Sequence, residues 1–339
     1  MTTTKAPSII DFARTAGVST TTVSRVINGV PTVTDANRRR VETAIAKLRF
    51  HPNVAAQRLA SGRNDTVGLI IPRFERISIF RSYYAMEVIK GIGGAAERLR
   101  LDLLLHVTDG QSFVGPTTVG GVLFMDVDGG LDLLDRTLEE GTPCVVLNHF
   151  VEDLPVSCVA IDNRNGARQV ITYLTKLGHR EIATITGDLK AQSGLARLDG
   201  YVVAMKEHGL TVKEGYIQYG DYSPESGQRG AEALLSRKDR PTAIFAASDE
   251  VALAVIETAR RRHLRVPEDL SIVGFDDNPI ATHAPVPLTT IRQPLAEMGS
   301  TGLQMLHQQM LGRRKHPVKV TLPTQLVERQ SCRQTWIEP

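Results

Sequence analysis

The sequence predicts a small α-helical head followed by a larger α/β body of two side-by-side lobes of parallel sheet. Capped, helically spaced apolar residues fill the first fifty positions. After Gly62, short apolar runs alternate with amphipathic helical patterns, which is how parallel strands covered by helices on both faces read. The charge also splits: residues 1–62 carry nine Lys and Arg against three Asp and Glu, a net +6, and the rest sums to −3. A basic head on a mildly acidic body points to a polyanionic partner for the head alone, although a solvated helical face carries the same charge. At 339 residues the chain exceeds one compact core, and 42% hydrophobic with 23% charged residues is ordinary globular composition.

The head reads as three helices. Ser8 with Asp11 three positions on marks the first start, Ile9, Phe12, Ala13 and Ala16 form its apolar face, and Gly17 supplies the turn. Ser19 caps the second helix, whose apolar side is Val23, Val26 and Ile27 and which Gly29 ends. Thr34 caps the third, where Val41, Ala44, Ile45 and Leu48 recur at helical spacing. Two short helices joined by a tight turn, with a third behind them, describe a helix-turn-helix unit. Its second helix would enter a DNA major groove with Thr20, Thr21, Ser24 and Arg25 pointing outward. Short hydroxyls allow close approach to phosphates and base edges, the threonine methyl can meet a thymine methyl, and arginine can fork onto guanine.

Pro52 breaks the third helix, and NVAAQRLASG (53–62) follows, with Asn53 as cap and Gly62 as stop. About eight helical residues are too few to persist alone in water, so this segment is expected to fold against a partner copy or DNA. Leu59 is its apolar wedge for a minor-groove base step, and an inert linker is the alternative.

The stretches SIIDFARTAGVSTTTVSRVING, TDANRRRVETAIAKLRFHPNVAAQRLASG and TVGLIIP resemble the head, hinge and first core strand of LacI/GalR-family transcription regulators. The resemblance implies base-reading positions at Arg25, Thr20 and Thr21, beside which Ser24 is set from its place on the helix. It implies DNA-backbone contacts at Ser19, Thr22, Asn28 and Asn53, to which Thr34 is added, and the intercalating position at Leu59.

In the body, strands are expected over 67–71, 102–107, 121–125, 144–147, 158–161, 182–185, 216–219, 243–246 and 271–275. Helices are expected over 85–100, 163–177, 197–208, 226–237, 249–262 and 295–311. That is too many strands for one sheet, so two lobes follow, with ligand in the crevice at the carboxyl ends of the strands. VAIDNRNGARQVITYLTKLGHREIATITG, ARLDGYVVAM, the run from PTAIFAASDEV to VGFDDNPIA, and PLTTIRQP extend the resemblance over essentially the whole chain. It implies a periplasmic-binding-protein-like core, a homodimer and a small effector in the cleft. The expected division is a head over 1–50, a hinge over 51–63, an N-subdomain over 64–162 plus 292–325, and a C-subdomain over 163–291 plus 326–339. Arg197, Ser248, Asp249 and Asp276 match effector ligands of the family, and Asp162 matches an acid beside the cleft. An arginine fork with carboxylates suits the vicinal hydroxyls of a sugar.

Two departures from the family bear on effector identity. DGQSFVGPTTVGG is short where relatives carry a helix, and RFERISIFRSYYAM is longer than the usual connection after the first strand. Phe80, Tyr83 or Tyr84 could supply an aromatic platform there.

Other functions fit less well. VLFMDVDGG resembles the acidic loop of haloacid-dehalogenase-type phosphatases, with Asp126 as nucleophile, Asp128 as acid/base and Asp276-Asp277 as a magnesium pair. It leaves the basic head unexplained, so no enzymatic activity is expected. GIGGAA (91–96) sits inside a helical pattern rather than after a strand and fails as a dinucleotide loop. The start MTTTKAPSIIDFA lacks the apolar run of a secretory signal, and no stretch of about 18 apolar residues could span a membrane. A cytoplasmic location is therefore expected. Cys144, Cys158 and Cys332 are far apart and have no metal or redox spacing, so neither metal nor cofactor is expected.

Overall fold

The structure, a computed structural model, describes residues 8–27, 32–48, 64–72, 79–108, 119–127, 131–314 and 316–335. Asn28, Asn53, Leu59, Asp128 and the hinge segment 53–61 lie outside the described residues. The chain forms two compact units, Met1–Asp65 and Thr66–Pro339.

The first unit contains α1 (Ile9–Ala16), α2 (Thr20–Ile27) and α3 (Asp35–Lys47). The Asp11 carboxylate closes the start of α1 by accepting the Ser8 N–H at 2.8 Å and the Ser8 hydroxyl at 2.7 Å. Gly17 ends it at φ 65°, left-handed backbone that glycine enters without a Cβ penalty. Ser19 Oγ accepts the Thr22 N–H at 3.1 Å and so caps α2. At α3 the expectation fails in detail: Thr34 precedes the helix, but only its carbonyl takes part, accepting the Arg38 N–H at 3.0 Å, with no side-chain cap bond. Phe12, Ala13, Ala16, Val23, Val26, Val41 and Ala44 form the buried core. Ile9, expected on that face, is 42% exposed.

The second unit opens with β1 (Thr66–Pro72), α4 (Tyr83–Leu99), β2 (Asp102–Thr108) and β3 (Gly121–Met125). It continues through α5 (Leu131–Glu139), β4 (Cys144–Leu147) and β5 (Ser157–Ile161). The chain then builds a second lobe from α6 (Asn163–Lys176), β6 (Ile182–Ile185), α7 (Gln192–Glu207), β7 (Ile217–Gln218) and α8 (Pro224–Leu235). That lobe is completed by β8 (Ala243–Ala246), α9 (Asp249–Arg261), β9 (Ser271–Val273), α10 (Ile280–His283) and β10 (Thr290–Arg292). The chain returns to the first lobe for α11 (Leu295–Met310) and β11 (Lys319–Leu322), then crosses again to β12 (Gln325–Val327).

Two parallel sheets result, in the orders β11-β5-β4-β3-β1-β2 and β7-β6-β8-β9, with β10 and β12 paired antiparallel. Strands β3, β4 and β5 are buried at every position, as expected for strands covered on both faces. α4 and α11 pack face to face beneath the first sheet, and a Cβ on Gly91 would fall inside the Ala296 carbonyl. That close approach is the use of the GIGGAA glycine, which confirms that it serves helix packing.

Several expected bounds shift. α7 starts at Gln192, not 197, which moves Arg197 from a helix start into its second turn. β7 is shorter than 216–219 because Tyr216 turns inward and donates its hydroxyl to the Asp239 carbonyl at 2.6 Å. β9 stops at Val273 rather than 275 because the chain peels off toward β10, with Asp276 N–H bonded to the Ile291 carbonyl at 2.8 Å. α5 and the strands β10 to β12 were not expected. β10 to β12 are three or four residues long and, unlike 144–147, alternate with polar residues, so no apolar run marks them.

Candidate DNA-reading face and interlobe cleft

On α2, Val23 and Val26 turn into the head while Thr20, Thr21 and Arg25 are exposed and Ser24 is half-buried. Positions 20 and 24, and 21 and 25, are each four apart, so these side chains form two adjacent rows on one helical face. Ser19 and Thr22 flank it, their hydroxyls 2.9 Å apart at the helix start. The exposed N-terminal turns of the helix thus present short hydroxyls, unpaired backbone N–H groups and one long cation.

In the body, the residues that follow the carboxyl ends of the strands converge between the lobes. After β3 comes Asp126, after β4 Asn148 and His149, after β8 Ala247 and Ser248, and after β9 Phe275, Asp276 and Asp277. Asp126 (φ 84°), Asn148 (φ 60°), Asp276 (φ 132°) and Asp277 (φ 57°) all hold left-handed backbone, as does Tyr222 (φ 65°). Such strain concentrates where a site needs side chains aimed off the regular strand direction.

Arg197 is the hub. It is 6% exposed. Its Nε donates to Asn163 Oδ1 at 2.8 Å and its Nη1 to the Ala247 carbonyl at 2.5 Å. The Asp276 carboxylate lies 4.0 Å away, and the guanidinium stacks 3.8 Å from the Phe275 ring centroid. It also faces the Tyr222 ring at 5.6 Å. Tyr222 packs so closely on Gly187 that a Cβ there would enter its ring, and its hydroxyl lies 3.1 Å from Ser193 Oγ. Burial raises the Tyr222 phenol pKa; Arg197 lowers it, while Asp276 and Asp126 add to the rise. Acids of both lobes therefore face this ring.

Burial also raises Asp276, to about 8, against the opposing pull of Arg197, with Asp249 adding to the rise. Its Oδ1 accepts from Gln293 Nε2 at 2.5 Å. The folded pKa lies above the unfolded value near 3.8, so the protonated form stabilises the fold, and that contribution is lost as pH rises toward 8. Asp276→Asn is expected to remove uptake of about one proton on folding between pH 4 and 8. Melting temperatures of the core across that range, flatter in the variant than in the wild type, check it.

Several of the expected residues also have partners within the fold. Asp249 is fully buried, and both its oxygens serve the lobe itself: Oδ1 accepts from Thr290 Oγ1 at 2.5 Å and Oδ2 from the Asn278 N–H at 2.8 Å. It positions the 276–278 loop instead of presenting a free carboxylate. Ser248 caps α9 by accepting the Val251 N–H at 3.2 Å, and Asp162 caps α6 by accepting the Asn165 N–H at 3.0 Å. Phe80 is 68% exposed. Tyr84 is half-buried, and its neighbour Tyr83 reaches across the lobes to donate to the Asp277 carbonyl at 3.3 Å. The aromatics beside Arg197 are Phe275 and Tyr222.

A second link between the lobes was missed in the sequence. Gln192, the first residue of α7, accepts the Phe150 N–H at 2.8 Å and donates to the Phe150 carbonyl at 3.1 Å. Neither Gln192 nor Tyr222 belongs to a chemically suggestive motif, and their partners lie far away in sequence. Asp126 accepts from Asn148 Nδ2 at 3.4 Å and sits 3.5 Å from His149 Nδ1. Asp277 is held by Arg292 at 2.6 Å and Arg329 at 2.5 Å. Of the acids in the phosphatase reading, Asp126, Asp276 and Asp277 therefore have other partners, and Asp128 lies outside the described residues. Among the described residues no cluster of three His, Cys, Asp or Glu could hold a metal, and no helix is long and apolar enough to cross a membrane.

A helix-turn-helix head joined to a two-lobed α/β unit with a polar interlobe cleft defines a ligand-responsive transcription regulator. Residues 8–53 match the profile of bacterial regulatory proteins of the lacI family, and residues 171–332 match a periplasmic binding protein-like domain. The HTH-type transcriptional regulator CelR of Thermobifida fusca is 37% identical over 96% of this chain and 98% of its own. Catabolite control protein A of Priestia megaterium is 34% identical over 96% of this chain and 99% of its own. Among solved structures, a CelR–cellobiose complex is similar at a TM-score of 0.73 and 34% identity, covering 96% of this chain and 99% of that one. The lac repressor dimer bound to operator and the anti-inducer ONPF is similar at a TM-score of 0.84 and 26% identity, with the same coverage. The chain belongs to the LacI family of bacterial transcription regulators.

Proposed function

We propose that this regulator is a repressor that binds a pseudo-palindromic operator as a homodimer and answers to a small sugar bound between its lobes. The observation that carries the sugar assignment is the cleft around Arg197. A buried guanidinium, the Asp276 carboxyl and the Tyr222 ring offer a donor, an acceptor and an apolar face within one site. A sugar ring presents the matching surfaces, hydroxyls at its rim and C–H groups on its face. The relative whose structure holds cellobiose makes that disaccharide the first probe.

On the DNA side, Thr20, Thr21, Ser24 and Arg25 read bases, and Ser19, Thr22 and Thr34 contact the backbone, with Asn28, Asn53 and Leu59 in the roles the family implies. A twofold protein reads twofold DNA, so each head takes one half-site. Support for a second copy comes from β2, the edge strand of the first sheet, where Leu104, Leu105 and Val107 are each more than 40% exposed. Effector binding acts by differential affinity for two lobe arrangements, and the Gln192–Phe150 and Tyr83–Asp277 links are the contacts such a change would break or remake. The cytoplasm is the compartment in which such a protein meets its DNA, and no catalysis is required of it.

Arg25→Ala tests the recognition face. It is expected to cost about 1–3 kcal/mol of operator binding and to relax preference at one base pair per half-site. Titration of the operator and its single-base variants reads both effects. Undiminished specific binding by the variant would remove α2 from the DNA-reading role.

A further inference from the structure

The two links between the lobes differ in where they lie. Tyr83 meets the Asp277 carbonyl, and the Asp277 carboxylate is held by Arg292, the last residue of β10 before the chain crosses back to α11. That link sits beside a crossing and moves little when one lobe turns on the other. The Gln192–Phe150 link joins the start of α7 to the connection between β4 and β5, and along the chain both residues stand well away from the crossing between β5 and α6. A turn about the crossings must break it. We propose that Gln192 is the latch of the regulator: its side-chain amide clasps the Phe150 peptide and holds the lobes in this arrangement, and its release lets them part. The inference rests on the reading of the cleft as the effector site.

The chemistry of the clasp suits a latch. Phe150 offers one donor and one acceptor on its backbone, and the Gln192 amide answers both. Its Oε1 accepts the N–H at 2.8 Å and its Nε2 donates to the carbonyl at 3.1 Å. An amide side chain carries donor and acceptor side by side on one plane, so the pairing copies one step of a β-ladder with a side chain in place of the second strand. A carboxylate at this position would accept the N–H but set a negative oxygen against the Phe150 carbonyl. Both bonds run between protein atoms, so the latch works without effector, and effector binding has to act against it or with it.

The same helix start carries the cleft. Ser193 Oγ lies 3.1 Å from the Tyr222 hydroxyl, and Arg197 is bound to Asn163 and Ala247 of its own lobe. A Cβ on Gly194 would fall inside the Asp188 carbonyl, so this part of α7 is seated closely on the second lobe. Release of Gln192 therefore frees the second lobe as a body and leaves Arg197 in place. Two neutral hydrogen bonds tilt the balance between two lobe arrangements by about tenfold or more.

Spin labels on Glu139→Cys of α5 and Lys206→Cys of α7, both exposed positions, read the distance between the lobes. Cys144 and Cys158 are buried, and the half-buried Cys332 is replaced by serine to keep it unlabelled. The full-length protein is diluted with unlabelled protein so that only pairs within one chain are read, and no sugar is added. The chain with Gln192 should give one narrow distance distribution. Gln192→Ala and Gln192→Glu should each add a population at a different distance, while Tyr83→Phe should stay close to the parent. A pair within the second lobe, Lys206→Cys with Glu225→Cys, should read the same distance in every variant. An unchanged interlobe distribution in both Gln192 variants overturns the latch. So does a change in the second-lobe pair, which would mean that Gln192 holds its own lobe together. Cellobiose is then added to the parent chain: unchanged distances there count against the sugar reading, and the sugar-free comparison still decides the latch.

Discussion

Arg197→Met is expected to abolish the response of operator affinity to effector and to destabilise the core by about 1–3 kcal/mol. The side chain ties three strand ends together. Asn163 opens α6 after β5, Ala247 follows β8, and Asp276 follows β9, and each has an atom on the guanidinium. Methionine keeps much of the volume and the contact with Phe275, but it leaves the Ala247 carbonyl and Asn163 Oδ1 without their donor. Arg164→Met is the matched control. Arg164 pairs with Asp199 across solvent, with more than half of each side chain exposed, so its loss should cost about 1 kcal/mol or less and leave the response intact. Urea unfolding of the two variants, beside operator titrations with and without effector, reads both effects. A wild-type response in Arg197→Met would show that the cleft is not where effector acts.

Phe12→Ala is expected to unfold the head and leave the body folded. Phe12 is fully buried at the centre of a core of seven residues, and truncating a buried phenylalanine costs about 3–5 kcal/mol. A unit of about sixty residues has little more stability than that to lose. Because residues 1–65 and 66–339 form separate compact units, calorimetry should lose or lower one transition and keep the other. DNA binding should disappear while effector binding remains. Ile10→Ala, on a side chain 57% exposed, should change stability by no more than about 0.5 kcal/mol. A single transition that moves as a whole in Phe12→Ala would mean that the units unfold together.

The head was legible because its signals are local. Ser8 with Asp11, Gly17 and Ser19 mark helix ends within four residues of their partners, and the alternation of Val23 and Val26 with Thr20, Thr21 and Arg25 fixes which face is free. The buried strands were legible for the same reason, as unbroken apolar runs such as 144–147. The cleft was only partly so. Arg197 and Asp276 stood out through the family resemblance, but residue type did not separate a cleft carboxyl from a structural one. Asp249 and Asp276 look alike in sequence, and only the fold gives Asp249 to Thr290 and Asn278. Gln192 and Tyr222 were illegible because their meaning depends on partners brought together by the crossing of the chain between lobes, Phe150 lying 42 residues from Gln192. α5 escaped notice because LDLLDRTLE is a nine-residue amphipathic stretch, short enough to pass for a loop.

Twofold reading of DNA sequence by this regulator can be measured by selecting bound sequences from a pool of randomised duplex DNA with the full-length protein. The enriched motif is expected to have approximate twofold symmetry, and its half-sites to lose one base preference when the selection is repeated with Arg25→Ala. Failure to enrich any sequence, or an enriched motif identical for wild type and variant, would contradict it.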